Sequence, residues 1–321
     1  MKQKILALDF GGTKLAAGVV KGGERKWQNS QRQLSPPDAN AKTDIEIIKS
    51  LAHKLLQGEK PTAIGVSFGG PADFGTGTVR LSHHVPGWEN TPLKQILEAE
   101  FDAPAAIDND ANVAALGEHR FGAGEGCKSL LYITISTGVG GGWIFNGKPW
   151  RGVEGMAGEI GHTVVDPAGP VCLCGKRGCV ERLASGPYMA QQVREWLESN
   201  KGAEKGQLLR QLAGNNLEAI APPLISEAAA RGDELAKEAI ARAGWAVGVA
   251  IGNAANLINP ELFVLGGGVT KAGELFWETL RRVARETALP EVKFAIASAK
   301  LGDEAPLWGA VALAEQLIIN N

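Results

Sequence analysis

Two stretches of this chain, LDFGGTKLAAGVV (8–20) and ITISTGVGGGWIF (133–145), repeat one pattern: an apolar run, a glycine-rich turn and a second apolar run. A run of four to eight apolar residues bounded by Gly reads as a strand, and two such runs around a tight turn read as a hairpin. A chain that opens each half on the same hairpin folds most simply as two α/β halves. No short-period repeat accompanies this duplication, and no Pro- or Ser-rich linker divides the halves.

The rest of the chain fills in around those hairpins. Lys26–Leu34 alternates weakly and reads as a third strand. Ile45, Ile48, Leu51 and Leu55 make a helical stripe over Asp44–Leu56, with Thr43 or Asp44 as its cap. AIGVSFGGP (63–71) is a buried strand running into a Gly-Gly-Pro turn. Thr91 starts a second helix, with Pro92 in its first turn. APAAIDND is a strand ending on acids, and Ala111–Phe121 a helix. SLLYITIS (129–136) is a strand, followed by the loop TGVGGG and a strand WIFNG. Residues 185–250 are helical, Asp233–Leu257 is the longest helix, ELFVLGGGV (261–269) is a strand and Gly turn, and residues 305–318 form a final helix. The natural boundary is the strand-then-acid point near residue 108.

Composition narrows the function classes. Hydrophobic residues make up 44% and charged residues 21%, and the net charge is -2. Neither nucleic acid nor an anionic membrane surface is indicated. The N-terminus runs straight into a strand without a signal segment, and no apolar run reaches membrane-spanning length. A cytoplasmic enzyme or binding protein is expected, with its four cysteines kept as thiols.

Three glycine loops carry candidate chemistry. DFGGTK (Asp9, Gly11, Gly12, Thr13, Lys14) combines an acid, a hydroxyl and an ammonium with turn N–H groups, a set suited to phosphate and Mg²⁺. It is not a Walker A loop, which needs GxxxxGK[ST] before a helix. STGVGGG offers Ser136 and Thr137, and LGGGV (Gly266, Gly267, Gly268) follows a strand and could lie against a nucleoside. Each is equally readable as a tight turn. In DNDAN (108–112), Asp108 or Asn109 could simply cap a helix. Alternatively, a carboxylate there could serve as general base toward a hydroxyl.

His162, Cys172, Cys174 and Cys179 lie within one short stretch. Four such ligands suit a closed, structural Zn²⁺ site of Cys₃His type; buried free thiols are the alternative. The spacing is not that of a DNA-reading finger. Glu159 and Glu181 flank the cluster, so one ion could fix both carboxylates. Cys127 stands apart as a structural thiol.

Taken together, LDFGGTK, IDNDANVAALGE, ITISTGVGGG, GEIGH, CLCGKRGCVE and VLGGGV resemble, in order, the ROK family of repressors, open reading frames and sugar kinases. The resemblance spans nearly the whole chain. It implies an actin/hexokinase-like (ribonuclease H-like) α/β fold of two domains with a cleft between them. Residues 1–108 with a returning 305–321 would form the smaller domain, and 109–304 a larger one with the zinc motif and a dimerisation surface. It also implies roles. Asp110 matches the catalytic base. Gly69, Gly70, Asn109, Glu159, His162 and Glu181 match sugar-contacting positions, with His162 also a zinc ligand. Asp9, Gly11, Gly12, Thr13 and Lys14 match the first phosphate and Mg²⁺ loop, Thr137 and Gly138 the second, and Gly266–Gly268 the adenosine loop.

The implied activity is ATP-dependent phosphorylation of a hexose hydroxyl, with ATP, Mg²⁺ and structural Zn²⁺ bound. Glucose is the favoured substrate. N-acetylmannosamine remains open, as do fructose, mannose, allose and N-acetylglucosamine. A non-catalytic sugar-sensing regulator is the rival class. Family repressors carry a helix-turn-helix ahead of the DxGGT loop; with Asp9 arriving at once, none is expected here. Glucokinase-like relatives often have Pro-Asn where this chain has His83-His84. A homodimer, or a homotetramer, is implied, and Trp88, Trp150 and Trp277 are candidate interface anchors from surface loops.

Overall fold

The computed structural model describes residues 3–82 and 84–319, so His83 lies outside the described residues. In chain order the strands are β1 (Lys4–Phe10), β2 (Lys14–Lys21), β3 (Asn29–Leu34), β4 (Ala63–Phe68), β5 (Ala72–Asp73), β6 (Thr78–Val79), β7 (Ala105–Asn109), β8 (Ser129–Ile135), β9 (Val139–Phe145), β10 (Lys148–Trp150), β11 (Leu262–Gly266) and β12 (Ala295–Ser298). The helices are α1 (Ala41–Leu56), α2 (Leu93–Phe101), α3 (Asp110–Phe121), α4 (Val180–Ala184), α5 (Gly186–Glu198), α6 (Asn200–Lys205), α7 (Gln207–Leu212), α8 (Pro222–Ala230), α9 (Glu234–Ile258), α10 (Glu274–Thr287) and α11 (Ala305–Ile319).

Two five-stranded sheets run in the orders β3-β2-β1-β4-β7 and β10-β9-β8-β11-β12. The duplicated hairpin pattern thus supplies β1–β2 and β8–β9. The chain divides into two compact units: Met1–Tyr132, Gly142–Gly158 and Ala299–Asn321 in the first, Ile133–Gly141 and Glu159–Ser298 in the second.

In the first unit β1 pairs antiparallel with β2 and parallel with β4, and β4 pairs parallel with β7. Every residue of β4 is buried. A strand covered on both faces reads as continuous apolar sequence rather than as alternation, which is why AIGVSF lacks a period of two. The core groups Leu6, Leu8, Val66, Phe68, Ile107 and Trp88 from the sheet and its loops with Ile48, Leu51 and Leu97 from the helices. Helix α11 packs on α3, and glycines set the spacing. A Cβ on Gly309 would collide with the Val113 carbonyl, and one on Gly117 would fall 2.8 Å from the Gly309 amide. The buried Glu118 carboxylate accepts from the amides of Ala123 (2.8 Å), Lys300 (3.1 Å) and Leu301 (2.8 Å). It thereby anchors the chain just ahead of α11.

In the second unit the longest helix, α9, starts at an Asp233 cap that accepts from the Ala236 amide at 2.9 Å. It ends at Asn259 in the left-handed conformation, a residue type that tolerates it. Gly244, Gly248 and Gly252, spaced one turn apart, let the backbone of α10 approach α9 closely.

Several local expectations shift. Helix α1 begins at Ala41, capped by Asn40, whose Oδ1 accepts from the Thr43 amide at 3.1 Å; neither Thr43 nor Asp44 is the cap. Helix α2 begins at Leu93, because Thr91 is held in a bridge to Val79. Strand β9 begins at Val139, so most of GVGGG is strand rather than loop. Trp88 is 1% exposed and Trp277 9%, so both are core residues, whereas Trp150 is 55% exposed. Among the described residues no helix is long and apolar enough to cross a membrane.

Candidate functional site

In the first unit three turns converge because β1, β4 and β7 are adjacent and parallel. Parallel neighbours end at the same edge, so the loops after them are brought together. Asp9 lies opposite Ser67, which lies opposite Asp108, and Phe68 lies opposite Asn109. The first glycine loop closes by a bond from the Gly11 amide to the Lys14 carbonyl (3.0 Å), leaving Thr13 and Lys14 exposed. The Gly69 amide donates to the Phe10 carbonyl at 2.8 Å, so the GGP turn after β4 lies against that loop. His84 packs on Gly12: a Cβ there would sit 2.7 Å from the imidazole.

Asn109 is the cap of α3, its Oδ1 accepting from the Ala111 amide at 2.9 Å while its Nδ2 donates to the Gly70 carbonyl at 3.2 Å. Asp110 occupies the first turn of α3, where its carboxylate also accepts from the Ala111 amide (2.8 Å). The partial positive charge of a helix N-terminus favours an ionised carboxylate at that position. Asp9 is the contrasting acid. Burial raises it to about 7, the Asp110 charge adds to the rise, and the Ser67 hydroxyl and Arg32 oppose it. Asp9, Gly11, Gly12, Gly69, Gly70, Asn109 and Asp110 are thus brought together.

Sequence reasoning left two residues of this edge without a role beyond capping. Asp108 is buried, its Oδ1 accepting from the Asn109 amide (2.8 Å) and Asn112 Nδ2 (3.2 Å), its Oδ2 from Arg151 Nε at 2.7 Å. Burial raises the Asp108 carboxyl while Arg151 pulls it back. No local pattern points to Arg151, which lies 43 residues further along the chain.

In the second unit the Ser136 amide donates to the Gly138 carbonyl (2.8 Å), and the Gly186 amide to the Ser136 carbonyl (2.8 Å). Glu181 braces this loop: its Oε2 accepts from the Val139 amide at 3.0 Å. A Cβ on Gly138 would fall 2.7 Å from the same oxygen. Gly267 has φ of 89° and sits against the Ile135 backbone, where no side chain fits. These loops adjoin a cavity of about 830 Å³ lined by Thr137, Gly268, Pro187, Met189, Pro222 and Lys271, among others. A mostly apolar concavity of this size with a few polar groups suits a small organic ligand. The α5 and α8 lining was not foreseen; the Pro residues at the starts of both helices were the available signal.

The ligand atoms of His162, Cys172, Cys174 and Cys179 all lie within 4.8 Å of one another. The edge of a tetrahedron with Zn–S bonds is about 3.8 Å, so a small contraction would close this set on an ion. Among the described residues His162 Nδ1 is buried without a hydrogen-bond partner, as befits a metal-ligating nitrogen. The Lys176 amide lowers the Cys174 thiol to about 7, while burial pushes Cys179 up to about 12. Gly175 and Gly178 have positive φ and turn the chain within the cluster. Glu159 is exposed just before the short turn Ile160–His162, and Cys179 is the residue preceding α4, which carries Glu181.

The fold is the actin/hexokinase-like one. The sequence model of the ROK family matches residues 5–317, and the chain belongs to that family. A ROK hexokinase from Thermus thermophilus is 32% identical, with TM-score 0.85, over 99% of this chain and 100% of that one. A ROK glucokinase from Streptomyces griseus, solved with glucose and AMPPNP, is 34% identical, with TM-score 0.81, over 98% and 99% of the two chains. A glucokinase of Halalkalibacterium halodurans is 36% identical over 97% of this chain and 94% of its own. Relatives of other roles are an N-acetylmannosamine kinase of Salmonella heidelberg, 31% identical over 97% of this chain, and a xylose repressor of Caldicellulosiruptor bescii, 33% identical over 84%.

Proposed function

We propose that this chain is an ATP-dependent sugar kinase that transfers the γ-phosphoryl group of ATP to a hexose hydroxyl, glucose first among its substrates. The observation that carries the reading is Asp110, a carboxylate held in the first turn of α3 beside the Asn109 cap. It stands within a chain that matches the glucose- and AMPPNP-bound relative almost end to end. A sugar hydroxyl is a weak nucleophile near neutral pH. Asp110 accepts its proton as it attacks, and Asn109 orients it. Glu159 and Glu181 are pure acceptors when ionised and suit neighbouring sugar hydroxyls. Thr13, Lys14 and the turn amides of the first loop suit phosphate oxygens; in the second unit the cavity beside Thr137 and Gly268 suits a nucleoside.

Mg²⁺ bound near Asp9 would neutralise phosphate charge. The His162–Cys172–Cys174–Cys179 set would hold Zn²⁺ as a closed structural site that orients Glu159 and Glu181. The expected compartment is the cytoplasm, where ATP is kept, and the expected assembly a homodimer or homotetramer, which light scattering tests.

A coupled ADP-release assay with Mg-ATP and a panel of hexoses and N-acetylhexosamines tests the reading, with Asp110→Asn as control. Turnover on glucose that falls by about 10²–10⁴-fold in Asp110→Asn is expected. Preference for N-acetylmannosamine would support the second reading, which the Salmonella relative favours. A folded protein that turns over no sugar would leave a sugar-sensing regulator.

A further inference from the structure

Asp108 and Arg151 form an ion pair whose side chains are only 3% and 19% exposed. Taking both charges out of water is costly, and an apolar pair of similar size would often be at least as stable. Nor is the pair completed for stability, since Arg151 Nη2 is buried without a hydrogen-bond partner among the described residues. Helix initiation does not require it, because Asn109 already caps α3. What Asp108 does hold is the turn: it receives the Asn109 amide and the Asn112 side chain on one oxygen and Arg151 on the other.

Arg151 is fixed in turn from two further sides. Its guanidinium lies 3.5 Å from the centre of the Phe74 ring. Its carbonyl accepts from the Ala157 amide at 3.0 Å, closing a loop in which Gly152 and Gly155 take positive φ. Val153 at the tip of that loop is fully exposed. A planar guanidinium can stack and donate along a fixed direction at once, which a lysine ammonium cannot.

We propose that the Asp108–Arg151 pair positions the phosphoryl-transfer base: it fixes the turn that presents Asn109 and Asp110, with Arg151 anchored at the foot of the Gly152–Gly158 loop. The proposal rests on the sugar-kinase reading for its catalytic consequence. The pair touches no reacting atom and acts through Asn109 and Asp110.

Three variants and one double variant of the full chain test it: Arg151→Met, Arg151→Lys, Asp108→Asn and Asp108→Asn/Arg151→Met. Steady-state kinetics and amide hydrogen exchange of the peptide spanning 105–113 are read together. Misplacing a catalytic group by about 1 Å can cost about 100-fold. Arg151→Met is therefore expected to lower kcat about 30- to 100-fold while both KM values stay within about threefold. Exchange at the turn should quicken about tenfold. Arg151→Lys should recover part of kcat, and the double variant should cost no more than the worse single, since the two residues act as a unit. A folded Arg151→Met protein with kcat within twofold of the parent and unchanged exchange would overturn the proposal, as would full additivity in the double variant. Should Arg151→Met not fold, Asp108→Asn with parental kcat and exchange overturns it equally. If the parent chain phosphorylates no sugar, the functional reading falls; exchange at 105–113 then decides alone whether the pair holds the turn.

Discussion

The two glycine loops at Asp9–Lys14 and Ser136–Gly138 start from the same sequence pattern and are supported in opposite ways. The first is backed by its own sheet. Asp9, Ser67 and Asp108 stand side by side on three parallel strands, and the GGP turn bonds directly to Phe10. The second is backed by a side chain from a helix end: Glu181 accepts the Val139 amide, and Glu181 sits two residues after a cysteine of the His/Cys cluster. A local motif therefore fixes a hairpin but not what braces it. One brace is strand pairing, and the other is a carboxylate on a helix that starts directly after a cysteine of a cluster with the donor set of a metal site.

Disturbing the cluster probes this contrast most strongly. If the cluster holds Zn²⁺ as proposed, a chelator or Cys179→Ser is expected to destabilise the second unit, because metal binding free energy is then folding free energy. Exchange should rise at Ser136–Val139 while the peptide around Asp9–Lys14 stays protected; equal loss at both loops would contradict the contrast. Next in size is Glu181→Ala, which strands the Val139 amide and removes an expected sugar contact. An unpaired amide costs about 1–3 kcal/mol, and kcat/KM for the sugar should fall about 100-fold or more.

Asp9→Asn probes the first loop through pH. Folding holds the Asp9 proton up to about 7, above its ordinary 3.8. The folded state therefore binds more protons than the unfolded state between these values. Its stability contribution is complete below about pH 4 and lost as pH rises through about 7. Asp9→Asn should match the parent at pH 4 and exceed it by about 1–2 kcal/mol at pH 8, measured by urea unfolding without nucleotide. An equal difference at both pH values would show that desolvated charge is not the cause. The smallest effect expected is Gly12→Ala. The new methyl meets the exposed His84 ring, which can swing aside, so the cost should stay below about 1 kcal/mol. Gly138→Ala should exceed it, because its methyl meets the braced Glu181 carboxylate.

Much of this was legible in the sequence because it is local. Strands announced by apolar runs, the acids after β7, and three cysteines and a histidine within one stretch need no distant partner to be seen. What escaped was set by residues far apart. Thr91 reads as a helix start, yet its bridge to Val79 moves that start to Leu93. Asn40 outcompetes Thr43 and Asp44 because Asp44 is spent on the Ser35 hydroxyl at 2.7 Å. Trp88 looks like a loop residue beside Pro86 and Gly87, but Phe10 and Phe68 enclose it edge-on. Strand β12 and the Arg151 partner of Asp108 carry no local signal at all. The candidate acids were readable as types and positions. Their environments, one desolvated at Asp9 and one at a helix N-terminus at Asp110, came only from the fold.

In the proposed reaction Asp110 takes the proton of a sugar hydroxyl as that hydroxyl attacks the γ-phosphoryl group of ATP. Its most direct test is ³¹P NMR of glucose and Mg-ATP incubated with the parent chain and, in parallel, with Asp110→Asn. A hexose monophosphate signal growing in step with ADP is expected for the parent, and none on the same timescale for the variant. Phosphate appearing on no sugar, or at the parental rate with Asp110→Asn, would contradict it.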